Sequence, residues 1–181
     1  MPVFVALLRG VNVGKAKRLP MAEFRALLAG LGYTGVTTVL NSGNAVFRAP
    51  GNSANRLATD IAAALAAKLQ LEVRVVVKSA AELSAIVAEN SLAKAAPDPS
   101  RLLVAFTQES SALRGLSAIA ELVGARERFV IGKRAAFFHC PTGLLQSRAG
   151  EALLGKMGQA ATTRNWATTL KLQARAAECD A

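Results

Sequence analysis

Six consecutive apolar residues, Val3-Phe4-Val5-Ala6-Leu7-Leu8, put hydrophobic side chains on both alternating faces of a strand. Such a strand has no face to give to water and needs cover on both sides. The rest of the chain has to supply that cover, and its pattern does. Pro20 opens a helix on which Met21, Phe24, Leu27, Leu28 and Leu31 share a face, and Gly32 closes it. Val36–Leu40 and Ala45–Arg48 read as strands joined by a turn, Asn41-Ser42-Gly43-Asn44. Leu57, Ile61, Leu65 and Leu69 recur every four residues, which predicts an amphipathic helix over Ala54–Leu69. Glu72–Lys78 mostly alternates, as a strand wet on one side would. Ser79-Ala80-Ala81-Glu82 has the form of a capping box, in which Ser and Glu side chains each bond the other's backbone N–H, with a helix following to Glu89.

That order, strand-helix-strand-strand-helix-strand, is ferredoxin-like. Pro97 and Pro99 interrupt any helix and mark residues 96–100 as a linker between halves spanning 1–95 and 101–181. The order then recurs. Leu102–Thr107 reads as a strand and Ser111–Val123 as a helix buried on Leu113, Leu116 and Ala120. Arg128–Ile131 and Ala135–His139 form a hairpin over Gly132-Lys133, and Arg148–Met157 reads as a helix. The stretch from Ala161 to Leu172 reads as a last helix capped by Thr162 or Thr163. The expected fold is α+β: two ferredoxin-like halves, the second ending in a C-terminal helix and lacking a clear last strand.

Composition narrows the function classes. At 52% hydrophobic, the 181 residues can bury a core. Lys and Arg total 22 against 12 Asp and Glu, a formal charge of +10. A spread basic excess attracts phosphates and acidic partners, and it equally serves solubility. Two cysteines and one His give no disulfide framework and no zinc spacing, so no metal site is expected and no cofactor is indicated. Cys179 falls in an expected frayed terminus. No signal core precedes Arg9, and no apolar run nears the ~20 residues of a membrane span. The expectation is a cytoplasmic protein with no membrane partner.

Two stretches carry candidate chemistry. Arg9-Gly10-Val11-Asn12-Val13-Gly14-Lys15-Ala16-Lys17-Arg18 leaves a buried strand and enters a helix, the usual ligand position in strand-helix units. It is not a phosphate loop of the nucleotide-hydrolysing type: three residues separate the glycines where four are required, and Ala16 stands where a Ser or Thr would hold magnesium. In Thr162-Thr163-Arg164-Asn165-Trp166, an Arg sits at the start of the expected helix, where the backbone dipole favours an anion. Ser42, Gly43 and Asn44 offer successive backbone N–H groups. Each has a plainer reading: a solvated basic loop, an Arg paired with a distant acid, an ordinary turn. His139 and Cys140 adjoin at a strand end and point to opposite faces, which disfavours a Cys–His dyad. Phe4 and Phe47 occupy the strands on which RNA-binding sheets stack bases, but a sheet covered on both faces cannot present them.

The chain resembles the bacterial family known as domain of unknown function 1697. The resemblance rests on Leu7-Leu8-Arg9-Gly10-Val11-Asn12-Val13-Gly14, Pro20-Met21, Ser42-Gly43-Asn44 before Val46-Phe47, His139-x-Pro141-x-Gly143, Ser147, and Ala161 to Trp166 with Thr168, Lys171 and Leu172. Lys15 stands where family members commonly carry a second Gly, and Arg148-Ala149 replaces a Lys-Leu run. The resemblance implies a two-part α+β fold, and it brings no catalytic residue. The leading functional expectation is a module binding an anionic or phosphorylated ligand, nucleotide or nucleic acid included, in a cleft between the halves. Its residues would be Arg9, Asn12, Gly14, Lys15, Lys17, Ser42, Gly43, Asn44, His139, Thr162, Thr163, Arg164, Asn165, Trp166 and Lys171. The alternatives are a small-metabolite enzyme using His139 or Ser147, and a purely structural role for the same residues.

Overall fold

The apolar run becomes β1 (Val3–Leu8), buried along its whole length in a computed structural model that describes residues 1–181. Phe4, Ala6 and Leu8 enter one core, while Val3, Val5 and Leu7 on the other face are equally withdrawn from water. The chain divides into two units, Met1–Leu83 with Lys171–Ala181, and Ser84–Leu170.

In the first unit the elements after β1 are α1 (Met21–Gly30), β2 (Thr34–Thr38), β3 (Asn44–Arg48), α2 (Ala54–Leu69) and β4 (Val75–Ser79). The sheet order is β2-β3-β1-β4, antiparallel throughout. Phe24, Leu27 and Leu28 of α1 and Leu57, Ile61 and Leu65 of α2 pack with Phe4, Ala6, Leu8 and Phe47. Pro20 sits just ahead of α1, its carbonyl accepting from Glu23 and Phe24, and Ser53 caps α2 by accepting from the Arg56 N–H at 3.2 Å. β2 begins two residues earlier than its pattern suggests, because a bulge between Thr34 and Thr37 absorbs the offset.

β4 is not wet on one side. Val75 to Lys78 are all buried, and Lys78 lies along the protein with its ammonium 3.9 Å from Glu82. The alternation of β4 misleads because a long Lys stem can be covered while its charge meets a carboxylate one helical turn on. The capping box forms as read: Ser79 N–H donates to Glu82 at 2.8 Å and Glu82 N–H to Ser79 Oγ at 3.1 Å, starting α3 (Ala80–Glu89).

The second unit contains β5 (Leu102–Thr107), β6 (Arg128–Ile131), β7 (Ala135–His139), α4 (Arg148–Leu154) and β8 (Ala161–Asn165), followed by α5 (Trp166–Asp180). Its sheet order is β6-β7-β5-β8, again antiparallel. Three expectations need correction here. Ser110–Leu122 is 3-10 helix, so the buried side chains are Leu113, Leu116 and Ile119, three apart, and Ala120 faces water. The helix from Arg148 stops at Leu154, and Gly155 separates it from a single 3-10 turn, Lys156–Gly158. The second unit does have a last strand: Ala161–Asn165 is β8, paired with β5 from Ala161↔Thr107 to Asn165↔Leu103. The C-terminal helix therefore starts at Trp166, and it runs past Cys179, whose carbonyl accepts from the Arg48 guanidinium, so that end is not frayed. No helix is long and apolar enough to cross a membrane.

Candidate functional site

The glycine-bearing loop after β1 is folded by its own backbone and by one side chain. Gly10, Asn12, Gly14 and Lys17 all have positive φ, and Asn12 N–H donates to the Lys17 carbonyl at 3.0 Å. Asn12 is the clasp. Its amide nitrogen donates to the Leu19 carbonyl at 2.8 Å and to the Asn41 carbonyl at 2.7 Å, and its oxygen accepts from Leu19 N–H at 2.8 Å. Asn tolerates the left-handed conformation it adopts here, so backbone and side chain place the same demand on the position. Asn12→Ala removes three bonds that fix two loops and is expected to cost about 2 kcal/mol in a urea titration. Asn12→Asp keeps the acceptor for Leu19 N–H but sets a carboxylate oxygen against the Leu19 and Asn41 carbonyls, so it should cost at least as much as Asn12→Ala.

Two further loops join the first. Leu8 N–H donates to the Gly43 carbonyl at 2.9 Å and Arg9 N–H to the Arg74 carbonyl at 3.0 Å. Lys17 Nζ reaches the Glu72 carbonyl at 3.0 Å. Asn44 is fully buried, and its amide donates to the Val39 carbonyl and to Ser42 Oγ, both at 2.9 Å, so it shapes the turn. Arg9, Lys15, Lys17, Arg18 and Arg74 thus gather at one end of the sheet, with Glu72 the only acid on these loops. Burial and then the charge of Arg74 hold the Arg9 guanidinium below its usual pKa. A pocket of about 280 Å³ opens among Asn12, Arg18, Leu19, Pro20, Met21 and Asn41. Arg74 was not among the residues expected, and Arg18 and Asn41 fell within the candidate stretches but outside the ligand set drawn from them. Asn41 and Arg74 meet partners 29 residues away or further, and only the composition of the loops hinted at all three.

In the second unit the signature residues do something other than expected. The helix cap is Asn165, whose oxygen accepts from Thr168 N–H at 2.8 Å, while Thr169 Oγ1 donates back to the Asn165 carbonyl at 2.9 Å. Thr162, Thr163 and Arg164 precede it on β8, so Arg164 is not at a helix start. Thr162 and Arg164 share the face of the strand opposite Thr163. The Arg164 guanidinium is buried, donates to Thr162 Oγ1 and to the Thr163 carbonyl at 2.8 Å each, and is lowered by burial to about 10. It still carries its charge at neutral pH. Trp166 is half-buried, its backbone N–H donating to the Pro99 carbonyl at 3.1 Å, and Lys171 is exposed on α5.

His139 is half-buried at the end of β7, and Cys140 lies in the core. The Cys140 thiol is 3.5 Å from Glu127, and burial pushes its pKa up, which makes a poor nucleophile. Ser147 is buried, and its Oγ accepts from Gly150 N–H at 3.0 Å, capping α4. Burial alone would raise Glu127, but bonds from Ser147, Gly124 N–H and Cys140 outweigh it and leave the carboxyl lowered. This Glu127–Cys140–Ser147 knot had no local sequence signal, since Glu127 lies 13 or more positions from the other two.

A comparison with solved structures finds the conserved bacterial protein SP0830 from Streptococcus pneumoniae, at TM-score 0.78 and 24% identity, covering 97% of this chain and 98% of that one. At that identity the likeness speaks for the fold. No curated protein matches the chain. The family model described as "Protein of unknown function (DUF1697)" matches residues 1–137, from the N-terminus through most of β7 and across the whole of the basic loop system. The chain belongs to the DUF1697 family.

Proposed function

We propose that the loop-bearing end of the first unit binds an anionic, phosphorylated ligand, with nucleotides and nucleic acids the class to test first. The observation that carries the reading is the charge imbalance on three hydrogen-bonded loops: Arg9, Lys15, Lys17, Arg18 and Arg74 against Glu72. Cations held together by backbone bonds repel one another, and an anion relieves that repulsion. Gly14 adds approachable backbone, and Asn12 holds the frame in place. Each unit reads as ferredoxin-like, a view supported by the internal position of its first strand and by the element order.

A second reading applies to Thr162, Thr163, Arg164, Asn165 and Ser147. Their hydrogen bonds to their own strand and helix starts favour a structural role over a catalytic one. The test of the binding reading is titration of the intact protein with ATP and with a labelled single-stranded oligonucleotide at several salt concentrations. Binding of either should weaken as salt rises. Lys15→Glu with Arg18→Glu, both on exposed positions, should weaken it further and lessen the salt slope by about 1 for each phosphate left without its cation. No binding by either probe, or binding that the double variant leaves intact, rejects the site.

A further inference from the structure

A second pocket, of about 450 Å³, lies at the other end of the first unit's sheet. β3 leaves Val3's end of β1 at Arg48, and the loop that follows forms the rim, whereas the basic loop departs from Leu8's end. Buried Tyr33 and Leu57 and half-buried Leu31 make its floor, with Pro50 above them. Tyr33 is fixed by stacking on Phe47, ring centroids 4.9 Å apart and planes within 15°. Arg56 and Asp60 stand one turn apart on α2 at the rim, 3.8 Å from each other. Both act on the Tyr33 hydroxyl: burial raises its pKa, Asp60 raises it further and Arg56 opposes. An apolar floor with a few converging polar groups, in a volume of roughly 300–1,000 Å³, is the usual form of a small-molecule site.

We propose that this pocket binds a small zwitterion of the α-amino acid type with an apolar side chain, its carboxylate on Arg56, its ammonium on Asp60 and its side chain on Tyr33, Leu31 and Leu57. The charge pattern selects that class. A simple anion meets Asp60, and a simple cation meets Arg56. A molecule carrying both charges close together satisfies each, and it replaces one long ion pair with two shorter ones. The floor offers nothing polar except the Tyr33 hydroxyl, so the body of the ligand is apolar. The site is independent of the basic loops: it shares no lining residue with the first pocket, and its ligand carries no phosphate.

The experiment uses the full chain, labelled with ¹⁵N, and three probes: L-phenylalanine, N-acetyl-L-phenylalanine and L-phenylalaninamide. L-phenylalanine should move the amide signals of Gly51, Asn52 and Ser53. The two probes that lack one charge should bind about tenfold more weakly or worse, as expected for loss of a charged hydrogen bond. Arg56→Ala and Asp60→Asn, both at exposed positions where folding is undisturbed, should each cause a similar loss. Equal binding of all three probes, no response to L-phenylalanine at millimolar concentration, or full binding by both variants overturns the proposal.

Discussion

Arg164→Ala should lower the free energy of unfolding by about 3 kcal/mol in a urea titration, with the slope of the transition unchanged. The residue is buried, 8% exposed, and sits in β8 beside the internal strand β5. Truncation removes its bonds to Thr162 Oγ1 and the Thr163 carbonyl and leaves the hydroxyl of a Thr that is 2% exposed without that donor. It also opens a cavity where a long side chain lay against β5, opposite Val104. Both bonds come from the single nitrogen Nη1, so Arg164→Lys keeps the charge and a donor able to serve both acceptors. Its smaller, more strongly hydrated head fills the buried space less well, and it should recover only part of the loss. Arg56→Ala is the contrast. That side chain is 83% exposed and its ion pair is long, so its effect on stability should stay within about 0.5 kcal/mol. A loss below about 1 kcal/mol for Arg164→Ala would show that the guanidinium is not held as described.

The same residue shows where sequence reading stops. β1, α2, β5, the β6–β7 hairpin and the Ser79–Glu82 box were legible because each is decided by neighbours within a few positions. β8 was not. Thr162-Thr163-Arg164-Asn165 has too little apolar character to announce a strand, and only pairing with β5, more than 50 positions earlier, makes it one. Once it is a strand, the helix start moves to Asn165 and the Arg no longer sits on a dipole. The 3-10 stretch failed differently: Leu113, Leu116 and Ile119 fit either helix type for one turn, and three residues per turn, not 3.6, decides which side chain comes next. For the site, charge and glycine content pointed to the loop after β1. The function of Asn12 as its clasp depends on Leu19 and Asn41 carbonyls that only the folded chain brings to it.

Gly43→Ala should be as damaging as the loss of Arg164, about 3 kcal/mol, and it should loosen the basic loops with it. Two effects add. The residue has φ +84°, where a Cβ is strained by about 1–2 kcal/mol. That Cβ would also lie 2.7 Å from Val11 Cγ2 and 2.8 Å from Leu8 Cβ, both on buried side chains that cannot swing away, and overpacking of this kind costs about 1–3 kcal/mol. Gly14→Ala separates the two effects, because its φ is +62° but nothing lies within 4 Å of the added carbon. It should cost only about 1 kcal/mol, the conformational part alone. The steric part acts on function too. Pushing Gly43 off Leu8 strains the bond from Leu8 N–H to the Gly43 carbonyl and pulls Asn41 away from the Asn12 amide. In Gly43→Ala the Asn12 side-chain amide signals should shift and exchange faster with solvent, and whatever anion binding the loops support should weaken. In Gly14→Ala those signals should hold. Equal destabilisation by the two substitutions would mean that the close approach of the turn to β1 does not contribute to stability.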